Sequence, residues 1–213
     1  MKQIDLNGIT NLQPVCGTHE WYWSMDYTGG DLYEAQELFQ KGDINSSHLY
    51  IIHYPDGKVY DILSIEGHYF GVPVYDNGAL AILEVDFIKK VIEISQIQYE
   101  CNQLINIVKI AEISLCSVKD CYNLRLHTSP LMLTRQSNDN DFEIIWPEQI
   151  NFSIGNRESF RFREENKLYF SVWHEYPEYK EEVVVRMLYD GSILETLSGD
   201  IYIMPNGEKW NLK

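Results

Sequence analysis

Residues 47–87 read Ser47-His-Leu-Tyr-Ile-Ile-His-Tyr54, Pro55-Asp-Gly57, Lys58-Val-Tyr-Asp-Ile-Leu63, a Gly-containing link, Gly71-Val-Pro-Val-Tyr75, Asp76-Asn-Gly78 and Ala79-Leu-Ala-Ile-Leu-Glu-Val-Asp-Phe87. Asp56-Gly57 and Asn77-Gly78 are pairs that tolerate positive φ, and β-branched or aromatic residues flank both. Backbone sterics therefore predict four strands in two hairpins. The same signals return at the end of the chain, where 183–189, Asp190-Gly191, 192–197, Ser198-Gly199, 200–205, Asn206-Gly207 and 208–212 follow in that order. An antiparallel four-stranded meander that occurs twice predicts an all-β fold of repeated, propeller-like units. At about forty residues per unit the chain holds about four to five of them. A two-sheet β-sandwich fits the same pattern.

The rest of the chain extends this reading. Residues 1–18 form a loose leader with one short strand, and His19 to Thr28 alternates as a strand with Trp21 and Trp23 on one face and Tyr22 and Ser24 on the other. One helix follows. Gly29-Gly30 end the strand, Asp31 caps, Glu34 stands at capping-box spacing, and Leu32, Ala35, Leu38 and Phe39 form the apolar stripe that Gly42 stops. This short helix is expected to lid one end of the sheets. Leu49 and Ile51 point one way while Tyr50 and Ile52 point the other, so that strand is covered on both sides. Further strands are read at 91–97, 104–115, 123–128, 131–135, 142–146, 160–163 and 168–176, although Leu104, Ile107, Val108, Ala111 and Leu115 also fit helical spacing. With no linker-like stretch, 1–213 is expected to be one domain. It comprises the strand and helix at 19–42 and meander units at about 47–87, 89–128, 131–163 and 167–212. Pairing of Trp21 to Asp26 near the C-terminal strand would close a ring.

Composition removes several classes of function. The formal charge is −15, from 32 acidic and 17 basic residues, and phosphate binding depends on cationic neutralisation, so nucleic acid and anionic membranes are not expected partners. Arg157, Arg161 and Arg163 are interrupted by Glu158 and read as a solvated strand face. No apolar run approaches the roughly 18 residues of a membrane helix, and the first residues lack a secretory pattern, so a cytoplasmic location is expected. The four cysteines, Cys16, Cys101, Cys116 and Cys121, then read as thiols, and the sequons at Asn45 and Asn151 as chance matches.

Strong catalytic signatures are missing from the sequence: no G-x-S-x-G elbow, phosphate loop, G-x-G-x-x-G, H-E-x-x-H or C-x-x-C is found. His48 and His53 differ by an odd number of positions and so leave a strand on opposite faces. Neither a metal nor a cofactor is expected. Asn138 to Asp141 opens like a calcium loop but lacks the Gly and Glu of an EF-hand, and reads as a hairpin tip.

Aromatic residues are the most suggestive feature. Trp21, Tyr22, Trp23 and Tyr27 lie beside His19, Glu20 and Asp26, while Tyr69, Phe70 and Tyr75 follow His68. Aromatic faces bordered by carboxylates stack on sugars or anchor a protein partner. The same aromatics equally fill the space between sheets. The expected function is a non-catalytic binding or interaction module for a protein or a neutral small molecule such as a sugar. Its expected rim is Trp21, Trp23, Asp26, His68 and Tyr69. The alternative is a carboxylate-dependent hydrolase of a carbohydrate-like substrate, with acids among Glu20, Asp26, Glu84 and Asp86, one of them held protonated by its surroundings.

Overall fold

A computed structural model describes every residue except 63–64, 101–102, 177 and 205–206, and the side chains of all of these but 100 and 103–105. The regular structure of the described residues is nearly all β, in several antiparallel sheets, and the chain divides into two compact units, Met1–Leu126 and His127–Lys213.

In the first unit, β1 (Gln13–Pro14), β2 (Trp21–Met25), β3 (Leu49–His53) and β4 (Lys58–Ile62) form one meander in chain order. A second sheet contains β5 (His68–Phe70), β6 (Val74–Asp76), β7 (Ala79–Asp86), β8 (Val91–Glu100) and β9 (Gln103–Ser114). Here β5 and β6 both pair with β7, so they act as one edge strand interrupted at Gly71-Val72-Pro73. The two sheets face each other. Trp21, Trp23, Met25, Leu49, Ile51 and Ile62 of the first pack against Phe70, Leu80, Ile82 and Ile97 of the second. The other face of the first sheet is closed by Leu6 and Ile9 against Tyr50, Ile52 and Tyr22. Alternation thus distributes apolar residues to both faces, as the sequence requires.

The helix α1 (Leu32–Lys41) begins and ends where its sequence says. Asp31 accepts from the amides of Tyr33 and Glu34, and Gly42 is left-handed at φ 73°. Phe39 packs on Tyr69 at 6.2 Å and on Phe87 at 5.4 Å between ring centroids, which fixes α1 against the second sheet. Residues 104–114 are strand, not α-helix, and Leu115 opens a single 3-10 turn. Their apparent helical spacing arises because β9 slips register twice against β8, between Ile94/Ser95 and between Gln98/Tyr99, and each bulge inserts a residue into the alternation.

At the division lies β10 (Arg125–His127), which heads the sheet β10-β11-β12-β13 with β11 (Met132–Gln136), β12 (Asp141–Trp146) and β13 (Ile150–Ser153). Residues 137–140 are its hairpin tip, closed by the Ser137 amide on the Asp141 carbonyl at 3.0 Å. In the second unit β14 (Glu158–Glu164), β15 (Lys167–His174), β16 (Lys180–Met187) and β17 (Ile193–Ser198) form another meander. Its Phe160, Leu168 and Phe170 meet Met132, Phe142 and Ile144 in one core. A two-stranded hairpin, β18 (Asp200–Ile203) and β19 (Lys209–Leu212), completes the order.

The meanders are phased half a unit away from the sequence framing. Residues 47–87 supply the last hairpin of one sheet and the first strands of the next, and 183–212 do the same. Tight-turn residues mark hairpins but do not say which hairpin joins which. Trp21–Met25 pairs with β1 on one edge and with β3 on the other. Of the repeated turns, Asn77 and Gly78 are both left-handed, at φ 49° and 85°, while the Asn206 turn lies outside the described residues. Nothing lies within 4 Å of a Cβ added at Gly78. Gly78→Ala is therefore expected to cost about 1 kcal/mol from backbone strain alone. Urea unfolding measures it, and an unchanged midpoint would contradict the strain.

Candidate functional site

The expected aromatic rim does not assemble. Trp21 and Trp23 are only 4% and 7% exposed and belong to the core between the first two sheets. Tyr69 is fully buried beneath α1, its hydroxyl donating to the Ile44 carbonyl. Paired tryptophans at alternating positions mark a buried face as well as an open one, and the facing sheet decides between them.

That inter-sheet core has a polar cluster at each end. At one end Trp21 meets His53 at 4.7 Å, Tyr99 at 4.8 Å and Tyr60 at 6.1 Å between centroids. The Nδ1 of His53 lies 3.0 Å from Asp56 Oδ1 and 3.4 Å from the Tyr99 hydroxyl. Burial, with the Tyr60 hydrogen bond and the nearby charge of Asp56, pushes the Tyr99 phenol up to about 12.

At the other end stand His68, Glu84 and Asp86. Cross-strand pairing sets His68 opposite Asp86, and Phe70 opposite Glu84. The His68 ring meets Glu84 at Nδ1 and Asp86 at Nε2, the latter at 3.2 Å. A ring held by a carboxylate at each nitrogen is fixed in orientation and has no nitrogen left for a substrate. Burial pushes the Asp86 carboxyl up, but the amide and ammonium of Lys89, at 2.8 and 3.0 Å, together with His68, hold it below the usual carboxylate range. A general acid needs the opposite shift.

The sign of that shift gives a test. A folded-state pKa below the unfolded one stabilises above the unfolded value, about 3.9, and the stabilisation is lost as pH falls towards the folded value. The thermal midpoint of the wild type should therefore fall more steeply below about pH 4 than that of Asp86→Asn. Parallel curves would remove Asp86 from the acid response.

Asp26 is separate from this cluster in its bonding: its carboxylate accepts the His48 amide at 2.8 Å and faces His48 Nδ1 at 3.0 Å, pinning the start of β3. Glu20 contributes its carbonyl to the Tyr54 amide at 2.7 Å. Of the expected acids, then, Glu84 and Asp86 converge, on a histidine. Among the described residues no group of three or more His, Cys, Asp or Glu side chains is arranged to hold a metal ion. Cys16 and Cys116 are exposed free thiols, Cys121 is buried, and Cys101 lies outside the described residues.

The arginines are engaged with specific partners. Arg157 stacks over Trp173 at 4.7 Å, Arg161 donates to the Ile201 carbonyl at 3.1 Å, and Arg163 donates to Glu148 at 2.6 Å. Each solvated charge of the sequence reading thus has a packing role.

Large apolar side chains are exposed instead on the C-terminal hairpin. The pairing Asp200↔Leu212, Tyr202↔Trp210 puts these four residues on one face, and Ile201, Asn211, Ile203 and Lys209 on the other. Ile201 packs with Phe162 and Val183, and Lys209 bonds Glu164 at 2.9 Å and lies over the Phe162 ring, so this second face rests on the β14–β17 sheet. The first face is open: Tyr202, Trp210 and Leu212 are 49%, 50% and 52% exposed. Tyr179 stands nearby, 68% exposed, with its hydroxyl on Glu181 at 2.5 Å. That hydrogen bond raises the phenol's pKa, with smaller contributions from burial and from the charges of Glu181, Asp200 and Tyr202. The sequence reading missed this surface. Its signal was alternation in both strands of the last hairpin, which places Tyr202, Trp210 and Leu212 at even positions.

No family model matches the chain, and no curated protein is similar to it in sequence. Among solved structures, the crystal structure of a putative 6-phosphogluconolactonase from Bacteroides uniformis is similar over 92% of this chain and 75% of that chain, at 10% identity and a TM-score of 0.34. At that distance the likeness bears on neither site nor activity. Among the described residues no helix is long and apolar enough to cross a membrane.

Proposed function

We propose that the protein is a non-catalytic interaction module that docks a partner on the open face of β18 and β19. The observation that carries this reading is the exposure of Tyr202, Trp210 and Leu212 side by side on one sheet face, while Ile201 and Lys209 of the opposite face are held on the β14–β17 sheet. Contiguous exposed aromatics are the usual composition of a docking patch, because they bury much area with few rotatable bonds. The hydrolase alternative has less support, since its two converging carboxylates are spent on one histidine and Asp86 is held ionised.

Affinity capture from a native extract by the full chain, by Tyr202→Ala and by Trp210→Ala tests the reading. A partner retained by the wild type and lost by both variants is expected. Equal retention by all three proteins, or hydrolysis of a sugar substrate that Asp86→Asn abolishes, would overturn it.

A further inference from the structure

We infer that the occupant of this face is an extended, Lys- or Arg-bearing polypeptide segment that adds as a strand to the open edge of β19. The inference rests on the reading of the β18–β19 face as the docking site.

The edge is built to accept a strand. The Glu208 carbonyl accepts the Met204 amide at 2.7 Å, and the Leu212 carbonyl crowds Gly199, so the even-numbered residues turn their backbone groups towards β18. Alternation then turns the amide and carbonyl of Lys209 and of Asn211 outward. Among the described residues β19 pairs with β18 alone. Two of the other edges are blunted. β9 carries two bulges and Lys109, which bridges Glu93 and Glu112, and β17 slips register between Val185 and Arg186. By contrast β19 pairs in unbroken register and contains no proline. Such an edge is a template for another strand.

Charge selects the occupant. Glu181 accepts from Tyr179, and Glu208 accepts from Trp210 Nε1 at 3.3 Å, so carboxylates border the rings of the open face. The lysine of β19, Lys209, is turned to the opposite face and to Glu164. An ammonium or guanidinium over Tyr202 or Trp210 would meet an aromatic face and a carboxylate together, which strengthens both attractions. A second copy of a chain with net charge −15 would bring like charges together.

Panning a random-peptide display library on the full chain and on full-chain Trp210→Ala tests this. That variant removes an exposed side chain, and its thermal midpoint verifies the fold. The expected binders carry Lys or Arg at alternating positions, weaken as salt rises, and lose roughly tenfold or more in affinity on Trp210→Ala. They should also slow exchange of the Lys209 and Asn211 amides. Binders that depend on Trp210 but lack basic residues would overturn the cationic occupant and leave the docking face standing. Only Trp210-independent binders, or none, would overturn both. A mass that rises with concentration and reverts in Trp210→Ala would assign the face to a second copy and overturn the inference.

Discussion

Glu158→Gln is expected to destabilise the second unit by about 3–5 kcal/mol, the cost of leaving one partner of a buried ion pair uncompensated. Both Glu158 and Arg186 are buried, and the carboxylate takes two parallel bonds, from Arg186 Nε at 2.8 Å and from Arg186 Nη2 at 2.7 Å. It also accepts the Gly155 amide at 2.9 Å, while Arg186 Nη1 donates to the Gly191 carbonyl at 2.6 Å. The pair therefore ties the start of β14 to β16 and to the turn that follows β16. A glutamine keeps the shape but removes the charge, and turns an N–H towards a guanidinium that only donates.

A second variant separates charge from packing. Replacing both partners, as in Glu158→Leu with Arg186→Met, removes the buried charges together and should be clearly milder than either single change. The Gly155 amide and the Gly191 carbonyl would still lose their partners, at about 1 kcal/mol each. Urea unfolding of the three proteins measures this. A single change costing less than about 1 kcal/mol, or a double change as costly as the sum, would show that the pair does not act as a unit.

Local signals in the sequence carried most of the fold. Asp31, Glu34 and Gly42 bracket α1 at its observed ends, and the turns at Asp56-Gly57, Asn77-Gly78 and Asp190-Gly191 each join two strands. Those signals are short-range, so they identify hairpins without assigning them to sheets. Pro73 and Gly71 hide the continuity of β5 and β6, which is why the meander boundary was misplaced by two strands. Ile150–Ser153 was missed because four residues of weak alternation give no periodic signal. The candidate site was less legible for a related reason. His68 meets Asp86 only after β5 is laid beside β7 across a loop and a complete hairpin, and no spacing within one strand contains that register. Trp21 and Trp210 illustrate the same gap: both alternate on a strand, and the presence or absence of a facing sheet separates core from surface.

That contrast has a measurable form. Trp21→Ala is expected to cost about 3–5 kcal/mol, the range for truncating a buried aromatic that its surroundings cannot refill. Its ring is enclosed by His53, Tyr60 and Tyr99 and lies on the sheet face covered by the second sheet. Trp210→Ala removes an exposed ring and should stay within roughly 0.5 kcal/mol of the wild type. A spectroscopic readout follows from the same packing. Tyr99 is pushed up to about 12 first by burial, and a cavity at Trp21 admits water to its hydroxyl. In the variant, ultraviolet titration should show one tyrosine moving down from about 12 towards the ordinary value. A raised phenol pKa stabilises the fold below the unfolded value of about 10, and that stabilisation is lost as pH rises through the folded value. Trp21→Ala should therefore lose less stability than the wild type on going from pH 9 to pH 12. If Trp21→Ala unfolds like the wild type, the ring is not part of the core, and an exposed aromatic rim at the N-terminal sheet returns as the docking surface in place of β18 and β19.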